Sequence, residues 1–368
     1  MNGKRIGILG ASGLVGQAAA KTILEHTRYC VVLGGRSLEK MTRHFPDMGH
    51  RGVCVSVDLF EKEQLEDFCR HCDVVVNCAG PSKKILDKVA MAAFEHGAHY
   101  VDVSGDDHLY SLLSALEDKM VASRLTCIIS AGLFPGLSEI FPSYIAENYF
   151  DSLDSMELCF AGHGDLSLNA AYDYVCSIEE DYGEGMTRIR GGKKEKIIDA
   201  VKAPMPLPAP ASGYEVFPVL TCEFKRLVDR YRVGSACFYN CFRDTSILSV
   251  FMKIKIMQQY KTDAEKRASA MLIKETFQKG VHLDDFTMFH LKASGVRDRQ
   301  ASTILSTINS HLDGNAISGL VAGNTARLLL DGEANAPGLY FLPDGVDINR
   351  LMEHAMQQGL HAETRIQS

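Results

Sequence analysis

The sequence predicts an α/β protein, with a doubly wound parallel sheet followed by a second α+β domain that has a mixed or antiparallel sheet. Short apolar strands and helix-forming stretches alternate six times from the start of the chain to residue 130, which is typical of a parallel sheet with helical crossovers. The chain has 368 residues, more than one ordinary core accommodates, so we expect two domains.

The first strand runs directly into a glycine turn and a helix. Ile6–Leu9 are apolar, glycines follow at spacing three, and residues 14–25 are strong helix formers with an apolar face. The N–H groups at such a helix start, with the partial positive charge there, bind a pyrophosphate, and glycines let the backbone approach it. The pattern favours a Rossmann dinucleotide site over a purely structural glycine turn. The predicted cofactor-binding residues here are Gly10, Ser12, Gly13, Leu14, Val15 and Gly16.

The end of the second predicted strand, Tyr29–Leu33, indicates which nucleotide binds. The next residues are Gly34-Gly35-Arg36-Ser37, with no acidic residue to accept hydrogen bonds from a ribose 2′-hydroxyl. Arg36 is suited to pair with a 2′-phosphate, with Ser37 and Lys40 as further donors. We therefore predict NADP rather than NAD; the alternative is that Arg36 only stacks on the adenine of either cofactor.

The third and fourth strands add further candidates. Asp58 follows the strand that begins at Gly52, where it would contact adenine or, equally, cap a helix over residues 60–69. The fourth strand, 73–77, continues into Cys78-Ala79-Gly80-Pro81. Small residues at the carboxyl end of a parallel strand lie where the cofactor passes. We expect the nicotinamide half to meet the residues Asn77, Ala79, Gly80 and Pro81.

A family resemblance rests on several stretches together: the glycine turn, Gly35-Arg36-Ser37, the segment 77–81, Tyr100-Val-Asp-Val-Ser-Gly-Asp106 and Gly132-Leu-Phe-Pro-Gly136. The chain resembles the saccharopine dehydrogenase family in its reductase-like branch. The resemblance implies a Rossmann domain, NAD(P)H, and a second domain with the substrate site and a dimer interface. Saccharopine reductases tend to have an acid where this chain has Phe134, so the departure puts saccharopine itself in doubt as the substrate.

After Pro142 the sequence pattern changes from alternating strands and helices to long strands separated by turns and polar helices. Residues 154–161 alternate like a strand with one wet face, 216–220 form another strand, and 286–293 with 301–308 predict a hairpin. A helix over 316–330 and another over 347–358 follow, and the tail after Leu360 is predicted to be unstructured. The predicted domains are 1–138 for the dinucleotide, 139–332 for substrate and dimerisation, and 333–368 as a segment that returns to the first domain.

Three side chains are candidates for catalysis. Asp106, with Asp107 beside it, follows the fifth strand and would orient an amine or act as a base; the alternative is a helix N-cap. His163 lies in a polar turn after a strand, and histidine titrates near neutrality. Tyr172 and Tyr174 are two apart on one helix, so that one faces a cleft while the other packs. Arg188, Arg190 and Arg243 are possible carboxylate clamps.

The leading functional hypothesis is an NADPH-dependent oxidoreductase that reduces an imine or oxidises a secondary amine of a small amino-acid-derived substrate. The alternatives are an enoyl or carbonyl reductase, or a non-catalytic NADP-binding sensor. Few dedicated protein groups are needed to reduce a protonated C=N bond. An enoyl substrate needs a hydrogen-bond donor, but a tyrosine or a backbone N–H supplies one without leaving a recognisable sequence motif. The resemblance, and not the residues, decides between these reactions.

Composition limits the partners. The net charge of −7 argues against a nucleic-acid surface, and the basic run 193–196 is predicted to be a solvated turn. No apolar stretch is long enough for a membrane span, and the first strand begins too early for a signal peptide. Eleven cysteines, an odd number, fit reduced thiols in the cytoplasm. Cys69 and Cys72 have metal-ligand spacing without a second pair, so we predict no metal site. We expect a homodimer formed through residues 150–330.

Overall fold

The computed structural model describes residues 3–179, 183–199, 201–278 and 283–367. It divides into two compact units, each built from two stretches of chain. The first unit comprises Met1–Ile140 and Gly314–Gln358, and the second comprises Phe141–Asp313 and Gly359–Ser368.

The secondary structure consists of strands and helices, with one 3-10 turn at Gly49–Arg51. The strands are β1 (Arg5–Leu9), β2 (Cys30–Gly35), β3 (Gly52–Ser56), β4 (Val74–Asn77), β5 (His99–Asp102), β6 (Thr126–Ile129), β7 (Ser152–His163), β8 (Gly183–Gly185), β9 (Thr187–Arg190), β10 (Lys193–Lys196), β11 (Glu215–Thr221), β12 (Ser235–Phe242), β13 (Phe286–Arg297), β14 (Gln300–Ser310), β15 (Gly338–Phe341) and β16 (His361–Gln367). The helices are α1 (Leu14–His26), α2 (Leu38–His44), α3 (Lys62–Arg70), α4 (Ser82–Ile85), α5 (Lys88–Glu95), α6 (Asp107–Ser114), α7 (Glu117–Ala122), α8 (Leu137–Tyr149), α9 (Leu168–Glu179), α10 (Cys222–Arg230), α11 (Ser246–Ile256), α12 (Asp263–Gln278), α13 (Gly314–Asp331), α14 (Leu342–Gly345) and α15 (Ile348–Gln357).

The first unit has a parallel sheet of seven strands in the order β15-β6-β5-β4-β1-β2-β3. All of its neighbouring strands pair in parallel. Every residue of β4 and β6 is buried, as expected for strands covered on both faces. The chain order reverses between β1 and β4, so the crevice at their carboxyl ends is the place where such sheets bind ligands. The predicted Rossmann fold is confirmed.

Helix α13 lies in the first unit, whereas we predicted that the second domain would extend to residue 332. Its glycines explain this position. A Cβ added at Gly319 would lie 2.4 Å from the carbonyl oxygen of Val15, and one at Gly323 would lie 2.9 Å from the Thr22 side chain. The two small residues therefore let α13 pack closely on α1. The segment after α13 adds β15 to the edge of the sheet beside β6.

Among the described residues, the second unit has a nine-stranded sheet that is mixed, as predicted. Its main order is β10-β9-β12-β7-β13-β14-β16, and β11 pairs with β12 and β8. β12 pairs with β7 in parallel, while β13 runs antiparallel to both β7 and β14. The predicted hairpin is present, and its turn residues Asp298 and Arg299 both have positive φ.

Two predictions for the second unit are wrong. Residues 193–196 form the edge strand β10 and not a solvated turn, because Gly191 and Gly192 adopt positive φ and close a hairpin with β9. The tail after Leu360 is also ordered as β16, which pairs with β14 over seven residues. The hydroxyls of Ser306 and Thr364 lie 2.8 Å apart in this pairing. Within the described residues, no helix is long and apolar enough to cross a lipid bilayer.

Candidate cofactor and active site

The glycine turn after β1 is fixed by hydrogen bonds to the end of β2. Gly10 has φ +78°, a conformation that favours glycine. The N–H groups of Gly10 and Ala11 donate to the carbonyl of Gly34 over 2.9 and 3.1 Å, and the N–H of Gly13 donates to the carbonyl of Gly10 over 2.9 Å. Hydrogen bonds to β2 and within the turn therefore define its backbone conformation.

Close approach explains why glycines occupy this turn. A Cβ at Gly10 would lie 2.8 Å from the backbone of Cys78 and Ala79, and one at Gly16 would lie 2.4 Å from the carbonyl oxygen of Gly10. No side chain caps α1 at Gly13. The N–H groups of Leu14 and Val15 lie in the first turn, where a helix has no internal acceptors, and they remain suited to a pyrophosphate.

The end of β2 carries Arg36, which is exposed, and Ser37. The Ser37 hydroxyl oxygen accepts a hydrogen bond of 3.3 Å from the Lys40 N–H and caps α2. Ser12 also lies near this edge, because a Cβ on Gly35 would be 3.7 Å from its Oγ. Arg36 thus has the position that the sequence predicted for a group meeting a 2′-phosphate.

Asp58 lies after β3 and is half-buried. Its Oδ1 accepts a hydrogen bond of 3.0 Å from the N–H of Phe60, and its own N–H donates to Gln64 over 2.9 Å. Helix α3 begins only at Lys62, with Glu61 as its N-cap. The alternative in which Asp58 is the N-cap is therefore wrong, and its carboxylate instead closes the turn before that helix.

A buried polar network joins the ends of β4 and β5. The Asn77 amide donates to Asp102 Oδ2 over 3.0 Å, and the Tyr100 hydroxyl donates to the same oxygen. Each of these three side chains is at most 3% exposed. Burial raises the pKa of Asp102, and the hydrogen bonds from Tyr100 and Asn77 oppose that rise. Asp102 was not among the residues predicted from the sequence, although an acid inside an otherwise apolar parallel strand indicates a buried polar site.

The network also shapes the loop that we predicted to meet the nicotinamide. Asn77 Oδ1 accepts a hydrogen bond of 3.1 Å from the N–H of Ala79, and the Ser104 N–H donates to Asp102 Oδ1 over 2.9 Å. Both the amide nitrogen and the amide oxygen of Asn77 are thus engaged in hydrogen bonds within the protein. Its contribution to a cofactor site is to hold the backbone of the segment that contains Ala79, Gly80 and Pro81.

Asp106 is the N-cap of α6, the alternative that the sequence left open. Its Oδ1 accepts hydrogen bonds of 3.1 Å from the N–H groups of both His108 and Leu109. Its Oδ2 forms an ion pair with Lys83, and these two side chains are 19% and 14% exposed. Burial acts to raise the pKa of Asp106, but the hydrogen bonds from Lys83 and Leu109 outweigh it and lower that pKa. Lys83 was not predicted from the sequence, because no sequence pattern links it to Asp106.

The second unit holds the other two catalytic candidates. His163 is the last residue of β7 and is half-buried, with its backbone opposite Phe286. Tyr172 is 7% exposed, and its hydroxyl donates to Asp263 Oδ1 over 2.8 Å. Burial and the Asp263 hydrogen bond raise the pKa of Tyr172. Tyr174 is the exposed member of the pair, at 42%. Tyr172 therefore has the environment of a packing residue, which does not favour the predicted proton transfer.

The remaining candidates have structural partners. Arg188 Nε donates to Glu195 over 2.8 Å, and Arg190 also contacts Glu195, whereas Arg243 is exposed. Cys69 and Cys72 are both buried, and burial raises the pKa of each thiol. Among the described residues, no group of histidine, cysteine and acidic side chains is arranged to hold a metal ion.

Comparison with known proteins identifies the first unit. Residues 6–128 match the model of the saccharopine dehydrogenase NADP binding domain. The chain is therefore similar to this family over its NADP-binding domain. This match confirms the predicted resemblance to that family and the predicted NADP cofactor.

Two curated relatives match the chain over part of its length. The human saccharopine dehydrogenase-like oxidoreductase is 24% identical over 146 residues, which cover 35% of this chain and 34% of the relative. The carboxyaminopropylagmatine dehydrogenase of Synechocystis is 26% identical over 174 residues, which cover 44% and 43%. The matches span about a third to less than half of each relative.

The fold of the whole chain is similar to a solved structure. The apo saccharopine dehydrogenase (L-Glu forming) of Saccharomyces cerevisiae superposes with a TM-score of 0.68 and 15% sequence identity. The superposition covers 99% of this chain and 100% of the yeast protein. At this identity the likeness establishes the fold alone.

Proposed function

We propose that the chain is an NADPH-dependent oxidoreductase that reduces an imine, or oxidises the corresponding secondary amine, in a small amino-acid-derived substrate. The observation that carries the proposal is the NADP-binding domain at residues 6–128. Its glycine turn offers free backbone to a pyrophosphate, and its exposed Arg36 is suited to a 2′-phosphate. The dehydrogenase names of the relatives support the reaction class.

The residues of the first unit suit a reaction that needs little protein chemistry. When bound, NADPH supplies a hydride to the substrate carbon. The protein must then orient the C=N group and exclude water. Asp106 is held by two backbone N–H groups and Lys83, so it favours an orienting role over that of a base. His163 remains the proposed proton-transfer residue, because its imidazole is half-buried and lies at the end of a strand, and histidine is suited to proton transfer.

We further propose a cytoplasmic homodimer. The eleven cysteines are free thiols, which are typical of a reducing compartment. The sheet of the second unit has the exposed edge strand β16, which lies outside the predicted range 150–330, and its outer backbone groups are suited to pairing with a second copy. Sedimentation at micromolar concentration tests the dimer; a 40.5 kDa species alone would contradict it.

The reaction is tested by following NADPH oxidation with purified protein. The panel offers 2-oxo acids with primary amines, the same carbonyl compounds without amine, and enoyl compounds. Turnover only when both acid and amine are present supports the proposal. Turnover of carbonyl or enoyl compounds alone would favour the alternative reductase, and tight NADPH binding with no turnover would favour a sensor.

The proposed proton-transfer role of His163 is tested by His163→Ala. We expect turnover to fall roughly 100-fold while the Kd for NADPH stays near that of the unaltered protein. Asp106→Ala serves as the comparison, because the same loss there without a change in pH profile fits an orienting role. Full turnover in His163→Ala would remove His163 from the site.

A further inference from the structure

Helix α11 of the second unit presents an apolar strip to solvent. Its inner side is fixed, because Ile247 and Ile254 are buried in a core cluster that α11 forms with α9 and α12. On the outer side, Met252 and Ile256 lie one helical turn apart and are 62% and 73% exposed. These two residues form the apolar strip, and Met257 beside it is also exposed. Large apolar side chains are therefore concentrated on one helix surface, whereas single exposed ones would need no explanation.

The charge of this segment is opposite in sign to that of the whole chain. The chain has a net charge of −7, but residues 246–261 contain no acidic side chain. They contain the lysines Lys253, Lys255 and Lys261, all of which are exposed. At 3.6 residues per turn, Lys253 and Lys255 lie roughly 80° to either side of the apolar strip. The strip is thus flanked by positive charge along both of its edges.

The sign of this charge distinguishes between possible occupants of the surface. A second copy of the chain would present its own α11 across a two-fold axis, and the lysines of the two copies would repel each other. An anionic bilayer attracts lysines near its surface. Lysine stems lie along apolar surface while their ammonium groups reach the lipid headgroups. Because the strip projects from a single helix, a deformable bilayer accommodates it without a matching groove.

We propose that α11 docks the protein on an anionic bilayer, with the apolar strip in the headgroup region and Lys253 and Lys255 against the charged lipids. Such a helix lies in the plane of the interface and does not cross the membrane. The core cluster with α9 and α12 already holds the helix in its folded form, so docking costs no folding of the segment. The inference concerns a surface of the second unit and does not depend on the proposed reaction.

Co-sedimentation of the full chain with lipid vesicles tests the role of charge. Vesicles of equal parts phosphatidylserine and phosphatidylcholine should bind the protein, and vesicles of phosphatidylcholine alone should bind it much more weakly. The double variant Lys253→Gln with Lys255→Gln should weaken binding to the anionic vesicles roughly 10- to 30-fold, since each lysine near such a surface contributes about fivefold.

The matched control for this variant is Lys21→Gln with Lys62→Gln, on α1 and α3 of the first unit. It removes the same charge and should bind anionic vesicles like the unaltered protein. Equal losses in the two double variants would show that only net charge matters and would overturn the assignment. Failure of the unaltered protein to bind anionic vesicles would overturn it as well.

Ile256→Asn tests whether the apolar strip enters the bilayer. Because Ile256 is exposed, thermal unfolding and the Kd for NADPH should stay near those of the unaltered protein, while binding to the anionic vesicles should fall roughly 10-fold. Val121→Asn, at an exposed apolar residue of α7 in the first unit, is the matched control and should bind the vesicles normally. Unchanged vesicle binding in Ile256→Asn would contradict the proposal. If that variant instead dissociates a dimer in sedimentation while vesicle binding persists, the strip contacts a second copy and the proposed lipid surface is wrong.

Discussion

The predicted polar site residues are arranged differently in the two units. In the first unit, the predicted residues Gly10, Arg36, Asn77 and Asp106 all lie at or just after the carboxyl ends of strands of one parallel sheet. In the second unit, His163 ends a strand of a mixed sheet, whereas Tyr172 lies in a helix and bonds Asp263 of α12. The first set shares one edge of a sheet, and the second set does not share an element.

This difference follows from topology. The strands of a parallel sheet point the same way, so every residue just after a strand lies at the same edge, and the chain order alone predicts that such residues converge. A mixed sheet sends successive strand ends to opposite edges. The spatial neighbours of a polar residue at such an edge cannot be predicted until the strand order is known. This applies to the candidates of the second unit.

The largest expected effect concerns the backbone of the first unit. Gly10→Ala puts a Cβ 2.8 Å from the backbone of Cys78 and Ala79 at φ +78°, so we expect the free energy of unfolding to fall by about 2–4 kcal/mol. NADPH binding should weaken at least roughly 10-fold, because the glycine turn that meets the pyrophosphate would shift. Urea unfolding and fluorescence titration measure the two quantities.

Gly97→Ala is the matched control for this change. Gly97 has a similar φ of +74°, but no atom lies within 4 Å of the added Cβ. It should lower the free energy of unfolding by only about 1–2 kcal/mol and leave NADPH binding unchanged. Equal effects of the two substitutions would mean that conformation, and not the contact with the loop after β4, makes Gly10 necessary.

The next effect concerns cofactor choice at the end of β2. Arg36→Asp should weaken NADPH binding by about 1.5–3 kcal/mol, because a charged contact with the 2′-phosphate is lost and a repulsive charge is added. NADH has no 2′-phosphate, so its Kd is the internal control and should change much less. Equal losses for the two cofactors would support the alternative in which Arg36 only stacks on adenine.

The sequence predicted the glycine turn, the role of Arg36 in place of an acid and the doubly wound parallel sheet of the first unit, because each follows from local chain patterns. It did not predict the ion pair of Lys83, since 23 residues separate it from Asp106. Nor did it place α13 on α1, because a glycine indicates close packing without naming the partner. Features that lie within one strand, turn or helix could be predicted from the sequence. Contacts between different elements became known only from the folded structure.

The buried network between β4 and β5 predicts a pH dependence. The pKa of Asp102 is raised in the folded protein, so the folded state holds this proton more tightly than the unfolded state does. The stability that this contributes is fully present below the unfolded pKa of about 4 and is lost as pH rises through the folded pKa. Asp102→Asn mimics that form and does not titrate. The stability of the variant relative to the unaltered protein should therefore increase as pH rises above about 4, by up to about 1.4 kcal/mol per pH unit within that window.

Urea unfolding at a series of pH values measures this difference directly. Subtracting the two curves removes the titration of all other groups that the substitution leaves unaffected. A difference that is constant with pH would show that the hydrogen bonds from Asn77 and Tyr100 cancel the effect of burial on the pKa of Asp102, and a change in the opposite direction would show that they outweigh it.

The smallest expected effect lies in the second unit. Tyr172→Phe removes a hydrogen bond to Asp263, whose other oxygen keeps a 2.7 Å bond from Arg267. Because the carboxylate retains a partner, the free energy of unfolding should fall by only about 1 kcal/mol. Tyr174→Phe, at the exposed tyrosine of the same helix, should change it less.

Turnover decides what this small effect means. If Tyr172 packs α9 against α12, Tyr172→Phe keeps kcat and the Kd for NADPH while stability falls slightly. If Tyr172 instead transfers a proton, kcat falls roughly 100-fold at unchanged NADPH affinity, because the phenol is the donor that the reaction needs. The second result would show that the mixed-sheet unit contributes chemistry through a side chain already bonded to Asp263, and that a committed hydrogen bond does not remove a residue from catalysis in this fold.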